Sequence, residues 1–165
     1  LACYSYTKRF TQWSHLVLGG ARGLAPLGAE IAVRGALSWP TAALAASVVF
    51  WVGGFDVFYA CQDIEFDRHA GLPSLPARLG HDRALRVAVG FPAAAFLLFL
   101  LHGALADLGR IYFGAQAVIL MLLVYEHVLV RRGNIAPAFF QLNGVLSLTQ
   151  LAAVGLDLFF HHPRG

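Results

Sequence analysis

Two carboxylates spaced four residues apart, Asp63 and Asp67, follow directly after one of the most apolar runs in the chain. On a continuing helix, residues four apart lie on one face about one turn apart, whereas Glu65 between them points away. Asp56 and Tyr59 come seven and four residues before Asp63, so the same face carries them deeper into the apolar run. The spacing therefore predicts a polar stripe that enters a membrane-like segment.

Paired carboxylates of this kind suit a hard divalent cation. Mg²⁺ takes oxygen ligands and is usually held by one or two carboxylates together with substrate phosphates. A magnesium–diphosphate site at the mouth of a membrane protein fits an isoprenyl diphosphate, whose tail is lipid-soluble. The basic side chains available for phosphate oxygens are Arg68, Arg78 and the more distant Lys8 and Arg9. An isolated DxxxD is also typical of a solvated helix face, but an acid inside an apolar span, as Asp56 is, is costly and usually functional.

The composition indicates a membrane protein. Of the 165 residues, 58% are hydrophobic and 13% are charged, whereas a soluble domain carries about 25% charged residues. The net charge of +3 is modest and the basic residues do not cluster with aromatics, so we expect no nucleic-acid partner. Cys3 and Cys61 form no CxxC pair. His15, His102 and His127 occur singly and are interpreted as packing residues.

Five membrane-spanning helices are predicted, because backbone polar groups in lipid must be satisfied within the segment. The expected bounds are about 13–33, 38–60, 85–105, 110–130 and 136–159, with a long polar loop over 61–86. The side that holds this loop is rich in basic residues (Lys8, Arg9, Arg68, Arg78, Arg83, Arg86, Arg131 and Arg132). The positive-inside rule places it in the cytoplasm. The predicted fold class is an all-α polytopic membrane protein, with one transmembrane helical domain over residues 1–165.

The string FDVFYACQDIEFDRHAGLPSLPARLG resembles the second aspartate-rich motif of the UbiA family of intramembrane prenyltransferases, DxxYAxxDxxxD. Its fixed positions are occupied by Asp56, Tyr59, Ala60, Asp63 and Asp67. Upstream, YSYTKRFT is similar to the family's YxxxKR element, and downstream NIAPAFFQLNG resembles its last helix. Three elements in the right order make the resemblance specific. It is closest to the 4-hydroxybenzoate polyprenyltransferase type, in the branch associated with menaquinone synthesis.

The resemblance implies a helical bundle in a prokaryotic inner membrane, around a cavity that opens to lipid. There a polyprenyl diphosphate and an aromatic acceptor such as 4-hydroxybenzoate would react in ubiquinone or menaquinone biosynthesis. By motif position, Asp63 and Asp67 are the implied Mg²⁺ ligands and, with Arg9, the catalytic residues. The implied substrate contacts are Lys8, Arg9, Asp56, Tyr59, Arg68, Arg78 and Asn143.

The sequence departs from the family in one important respect. The first family motif, NDxxDxxxD, is absent from these residues, and the family has more spans than the five expected here. We therefore expect the C-terminal part of a nine-span fold, inactive without the N-terminal half of the same protein. The alternatives are a different acceptor, a transporter or channel in which Asp56 and Asp63 form an ion path, and a non-catalytic membrane subunit. A transporter predicts that Asp67 is dispensable.

Overall fold

The computed structural model describes residues 11, 14–61, 63–69, 71–132 and 137–161. Within these residues the secondary structure is helical, without strands. The helices are α1 (Ser14–Arg34), α2 (Trp39–Ala60), α3 (Ile64–His69), α4 (Leu75–Leu79), α5 (His81–Leu105), α6 (Arg110–Arg131) and α7 (Pro137–His161). The predicted all-α fold class is confirmed.

Five of these helices, α1, α2, α5, α6 and α7, are long and apolar enough to cross a membrane. Most of their bounds lie close to the predicted ones, but α5 begins at His81 instead of near residue 85. Gly80 has a φ of +77°, a left-handed conformation that ends α4, and its carbonyl accepts the N–H of Ala84 at 3.0 Å to start α5. Hydropathy marks where the apolar run starts, whereas the helix itself extends back through charged residues. The connection from α2 to α5 is therefore shorter than the predicted loop 61–86.

The chain divides into two compact units, one up to residue 98 and the other from residue 99 onward. The first unit contains α1 to α4 and most of α5. The second contains the end of α5 together with α6 and α7. Each unit is built on one closely packed pair of long helices, α1 with α2 and α6 with α7.

In the first unit, α1 and α2 approach each other at two glycines spaced four residues apart. A Cβ added to Gly19 would lie 2.3 Å from the carbonyl oxygen of Val49, and one added to Gly23 would lie 2.8 Å from that of Ala45. Small residues at this spacing let the backbones of membrane helices come into contact. The contact fixes the start of α1, including His15, against α2.

The turn between α1 and α2 is closed by Glu30. Its carboxylate accepts hydrogen bonds from the backbone N–H of Ser38 at 2.9 Å and from the Ser38 hydroxyl at 2.6 Å. Arg34 donates to the same carboxylate at 3.1 Å. Ser38 is the N-cap of α2, and its Oγ accepts the N–H of Thr41 at 3.5 Å. The last turn of α1 and the first turn of α2 therefore share one hydrogen-bonded cluster, the Glu30 clasp.

In the second unit, side-chain hydrogen bonds join α6 to α7. Gln116 Nε2 donates to Gln150 Oε1 at 3.0 Å, and Gln150 Nε2 donates to the hydroxyl of Tyr112 at 3.0 Å. The Tyr112 hydroxyl donates in turn to the carbonyl of Phe99 at 2.7 Å. Lipid tails are as apolar as leucine, so packing and bonds of this kind hold membrane helices together.

Asp157 of α7 supplies the N-terminal cap of α6. It is fully buried, and its carboxylate accepts the backbone N–H groups of Gly109 at 2.5 Å and Tyr112 at 3.1 Å. Gly109 is the N-cap of α6 and has no side chain to accept these bonds. The first N–H groups of a helix need such an acceptor. The sequence alone suggests no partner for Asp157.

Asparagine in place of Asp157 is expected to destabilise the second unit by about 1–3 kcal/mol, because an NH₂ group replaces one of two oxygens that accept buried N–H bonds. The measurement is the melting temperature of the protein in detergent. Asp107→Asn is the matched control: Asp107 is exposed, lies in the turn before α6, and has a φ of 52°, which asparagine tolerates. Equal melting temperatures for the two variants would contradict the capping role.

Candidate active site

The helix that carries Asp56 ends before the acidic pair begins. α2 ends at Ala60 and α3 begins at Ile64, so the prediction of one continuous helical stripe is wrong: Asp56 lies on α2, Asp63 lies directly before α3, and Asp67 lies on α3. The backbone N–H of Asp67 donates to the carbonyl of Asp63 at 2.8 Å, the bonding pattern of a single helical turn. The four-residue spacing thus still places Asp63 and Asp67 one turn apart.

The two carboxylates of the pair have different environments. Asp63 is exposed to solvent, whereas Asp67 is 1% exposed. The Oδ2 atom of Asp67 is buried and has no hydrogen-bond partner in the described part of the chain. A buried carboxylate oxygen without a donor costs about 1–3 kcal/mol or more. A cation or a donor group bound beside Asp67 would remove this cost, so the Asp67 carboxylate fits a metal ligand.

The short helix α3 separates its acids by face. Ile64 and Asp67 are buried, while Glu65 and Phe66 are exposed. Glu65, the acid expected to point away from the pair, is therefore in solvent. Two carboxylates, one exposed and one buried, can thus be compared on one helix. The backbone N–H of Leu72 donates to the Asp67 carbonyl at 2.8 Å, which folds the chain back over the end of α3.

Two guanidinium groups follow the acidic pair in the sequence, one on α3 and one on α4. Arg68 on α3 is exposed, and its Nε donates to the carbonyl of Ala77 on α4 at 3.3 Å. Arg78, also exposed, lies in the last turn of α4. The Ser74 hydroxyl caps α4 by accepting the N–H of Ala77 at 3.3 Å. The connection is thus folded, and it carries one cation directly after Asp67 in the sequence and a second in the last turn of α4.

The described residues contain no group of three or more His, Cys, Asp and Glu side chains arranged to hold a metal. A cation at the acidic pair would therefore need further oxygen ligands. Magnesium commonly takes these from substrate phosphates and water. Cys61, the buried side chain at the end of α2, has sulfur in place of oxygen, and burial raises its pKa to about 11, which keeps the thiol protonated at neutral pH.

Asp56 and Tyr59 both lie in the last turns of α2. Asp56 Oδ2 lies 2.7 Å from Nδ1 of His15 on α1, a contact across 41 residues of sequence. Tyr59 packs edge to face on Phe55, with ring centroids 5.1 Å apart. His15, interpreted from the sequence as a packing residue, is therefore the direct partner of a predicted site residue. Its apolar surroundings in the sequence carry no signal of that contact.

The remaining predicted site residues fall into two groups, those outside the described residues and one in the second unit. Lys8 and Arg9 lie outside the described residues. Asn143 lies on α7 in the second unit, where its Nδ2 donates to Oε1 of Glu126 on α6 at 2.8 Å. Glu126 is 4% exposed, a buried acid in a membrane-spanning helix. The sequence signal for this pair is two polar residues in consecutive apolar spans.

Comparison with known proteins gives consistent matches. Residues 1–146 match the family described as the UbiA prenyltransferase family. The chain is 33% identical over 132 residues to 4-hydroxybenzoate octaprenyltransferase of Pseudoalteromonas translucida, covering 79% of this chain and 44% of that protein. It is 30% identical over 159 residues to the protein of the same name from Azoarcus sp., covering 94% of this chain and 55% of that one.

A solved structure is also similar. It is the apo structure of a UbiA homolog from Aeropyrum pernix K1, with a TM-score of 0.82 and 30% sequence identity. The match covers 94% of this chain and 59% of that one. The chain thus spans about half the length of the curated relatives it matches.

Proposed function

The chain belongs to the UbiA prenyltransferase family, and from that membership we propose that it forms part of an aromatic prenyltransferase. The enzyme transfers a polyprenyl group from an isoprenyl diphosphate to an aromatic acceptor such as 4-hydroxybenzoate, in ubiquinone or menaquinone biosynthesis. The names of the relatives from Pseudoalteromonas and Azoarcus support the reaction type and the acceptor.

The buried carboxylate of Asp67 is the observation that carries this proposal. Its Oδ2 atom has no donor within the described residues, and it lies one helical turn from the exposed Asp63. Both follow directly after the membrane-spanning α2. An unsatisfied acid at a membrane surface is well suited to hold a cation that in turn binds a lipid-linked diphosphate.

The proposed roles follow from charge and position. Asp63 and Asp67 hold Mg²⁺, which supplies Lewis-acid stabilisation of the diphosphate leaving group. Arg68 and Arg78, with Lys8 and Arg9 by family resemblance, bind diphosphate oxygens and neutralise their charge.

The reaction itself exchanges one bond for another. The bond between the allylic carbon and the diphosphate oxygen breaks, and its electron pair leaves with the diphosphate. A ring carbon of the acceptor forms the new carbon–carbon bond and then passes its proton to water, so that the ring becomes aromatic again. By family resemblance, Asp56 and Tyr59 line the substrate cavity. Asn143, bonded to Glu126, is a further proposed substrate contact.

We place the enzyme in a prokaryotic inner membrane, with the connection between α2 and α5 on the cytoplasmic side. The support is the excess of Lys and Arg on the side that holds this connection. A water-soluble diphosphate product is then released on that side, while the prenylated ring stays in the membrane.

The test is a turnover assay with the protein expressed from its complete gene. Membranes that contain it, supplied with farnesyl diphosphate and 4-hydroxybenzoate, are expected to release diphosphate and form prenylated acid when Mg²⁺ is present. EDTA should abolish both products, and added Mg²⁺ should restore them. Diphosphate release without a prenylated ring, or turnover that EDTA leaves intact, would contradict the proposal.

The 165 residues expressed alone are a second arm of this experiment. We expect no turnover from them, because the chain supplies only the two proposed ligands Asp63 and Asp67 by family motif and spans about half the length of the relatives it matches. Ion flux through liposomes containing the complete gene product, unaffected by Asp67→Asn, would instead support a transporter.

A further inference from the structure

His15 and Asp56 form a hydrogen-bonded pair inside the first unit. The Nδ1 to Oδ2 distance of 2.7 Å is in the range of charge-assisted bonds. The side chain of His15 is 2% exposed and that of Asp56 is 19% exposed. Asp56 is therefore the more accessible member of the pair, and His15 is almost fully buried.

The hydrogen bond determines which nitrogen of the imidazole ring carries a proton. Because Nδ1 faces a carboxylate oxygen, Nδ1 carries a proton and donates it to the bond. The second ring nitrogen, Nε2, is buried and has no partner in the described part of the chain. A buried polar atom without a partner is unfavourable, so a residue needed for packing alone would be better as leucine or methionine. The bond to Asp56 is the interaction that uses the ring.

The chemistry of the pair indicates which substrate it meets. A carboxylate that holds no cation repels a diphosphate, whereas it accepts a hydrogen bond from a phenolic hydroxyl. Asp56 also lies four residues before the end of α2, about 6 Å deeper along the helix than its end. A hydroxyl bonded to Asp56 gains electron density on its oxygen, which makes the ring carbons beside it more nucleophilic.

We infer that His15 is a positioning residue: it holds the Asp56 carboxylate oriented toward the hydroxyl of the aromatic acceptor. This inference rests on the proposed prenyltransferase function. It assigns to His15 a role in acceptor recognition, separate from the binding of metal and diphosphate by Asp63 and Asp67.

The experiment compares two substitutions of His15 in the protein expressed from its complete gene. His15→Leu keeps the packing volume but loses the donor, and we expect kcat/KM for 4-hydroxybenzoate to fall about tenfold or more with the KM for farnesyl diphosphate within about twofold. His15→Gln keeps an amide N–H for Asp56 and is expected to recover most of the loss. His15→Met provides the same comparison if the leucine variant does not fold.

A double-mutant cycle separates this role from a general structural one. If His15 acts through Asp56, Asp56→Asn combined with His15→Leu is expected to be no worse than Asp56→Asn alone. Additive losses, an equal rise in both KM values, or full activity of His15→Leu would overturn the inference. An inactive unmodified protein would instead refute the proposed function itself, so the two failures are distinguishable.

Discussion

Asparagine in place of Asp67 is expected to lower prenyl transfer by the complete gene product by about 10²- to 10³-fold. The substitution keeps the shape of the side chain and removes its charge from a buried position in the proposed metal–diphosphate site. The amide that replaces the carboxylate presents a donor where a cation would bind. The measurement is the initial rate of prenylated product formation at saturating Mg²⁺ and substrates.

Glu65→Gln is the matched control for this prediction. It removes the same charge from the same six-residue helix, two residues away, at an exposed position. We expect it to retain nearly full activity, while Asp63→Asn falls with Asp67→Asn. If the Glu65 and Asp67 variants lost activity equally, the net charge of the connection would matter and the assignment of Asp67 as a ligand would be wrong.

The second large effect is expected at Gly19, where α1 contacts α2. Alanine there would place a Cβ 2.3 Å from the carbonyl oxygen of Val49, so one backbone must move. Overpacking of this kind costs about 1–3 kcal/mol, occasionally more. We expect a lower melting temperature in detergent and, because His15 lies on the same helix, weaker acceptor binding.

Gly20→Ala separates the contact from the general effect of removing a glycine. An added Cβ at Gly20 meets nothing within 4 Å. Both substitutions gain about 0.5–1 kcal/mol from the higher helix propensity of alanine, so their difference reports the contact with α2. A Gly19→Ala protein as stable as Gly20→Ala would show that the two helices separate easily, against the close packing described for them.

Most of the fold follows from simple features of the sequence. Five long apolar runs predict five helices, since a bilayer offers the backbone no other hydrogen-bond partners. The break between α2 and α3 does not follow, because residues 60–64 contain neither glycine nor proline. The start of α5 at His81 depends on the conformation of Gly80, which hydropathy does not report.

The sequence predicted the spacing of the two acids in the proposed site but not their environments. The spacing of Asp63 and Asp67 places them one turn apart in any helical conformation. That Asp67 is buried and Asp63 exposed depends on how the chain folds back after α3. The contact of His15 with Asp56 joins residues 41 apart, and that of Asp157 with Gly109 joins residues 48 apart. A pattern read along one helix carries no information about such pairs.

The Glu30 clasp bears on the order in which the segments of the protein fold during synthesis. Its bonds to Ser38 span eight residues of sequence, and the contacts of Gly19 and Gly23 are likewise with the next helix. Chains fold from the N-terminus as they are synthesised. The hairpin of α1 and α2 can therefore form while the acidic pair is still inside the ribosomal exit tunnel. His15 and Asp56, which both belong to this hairpin, can then meet before Asp67 has left the tunnel.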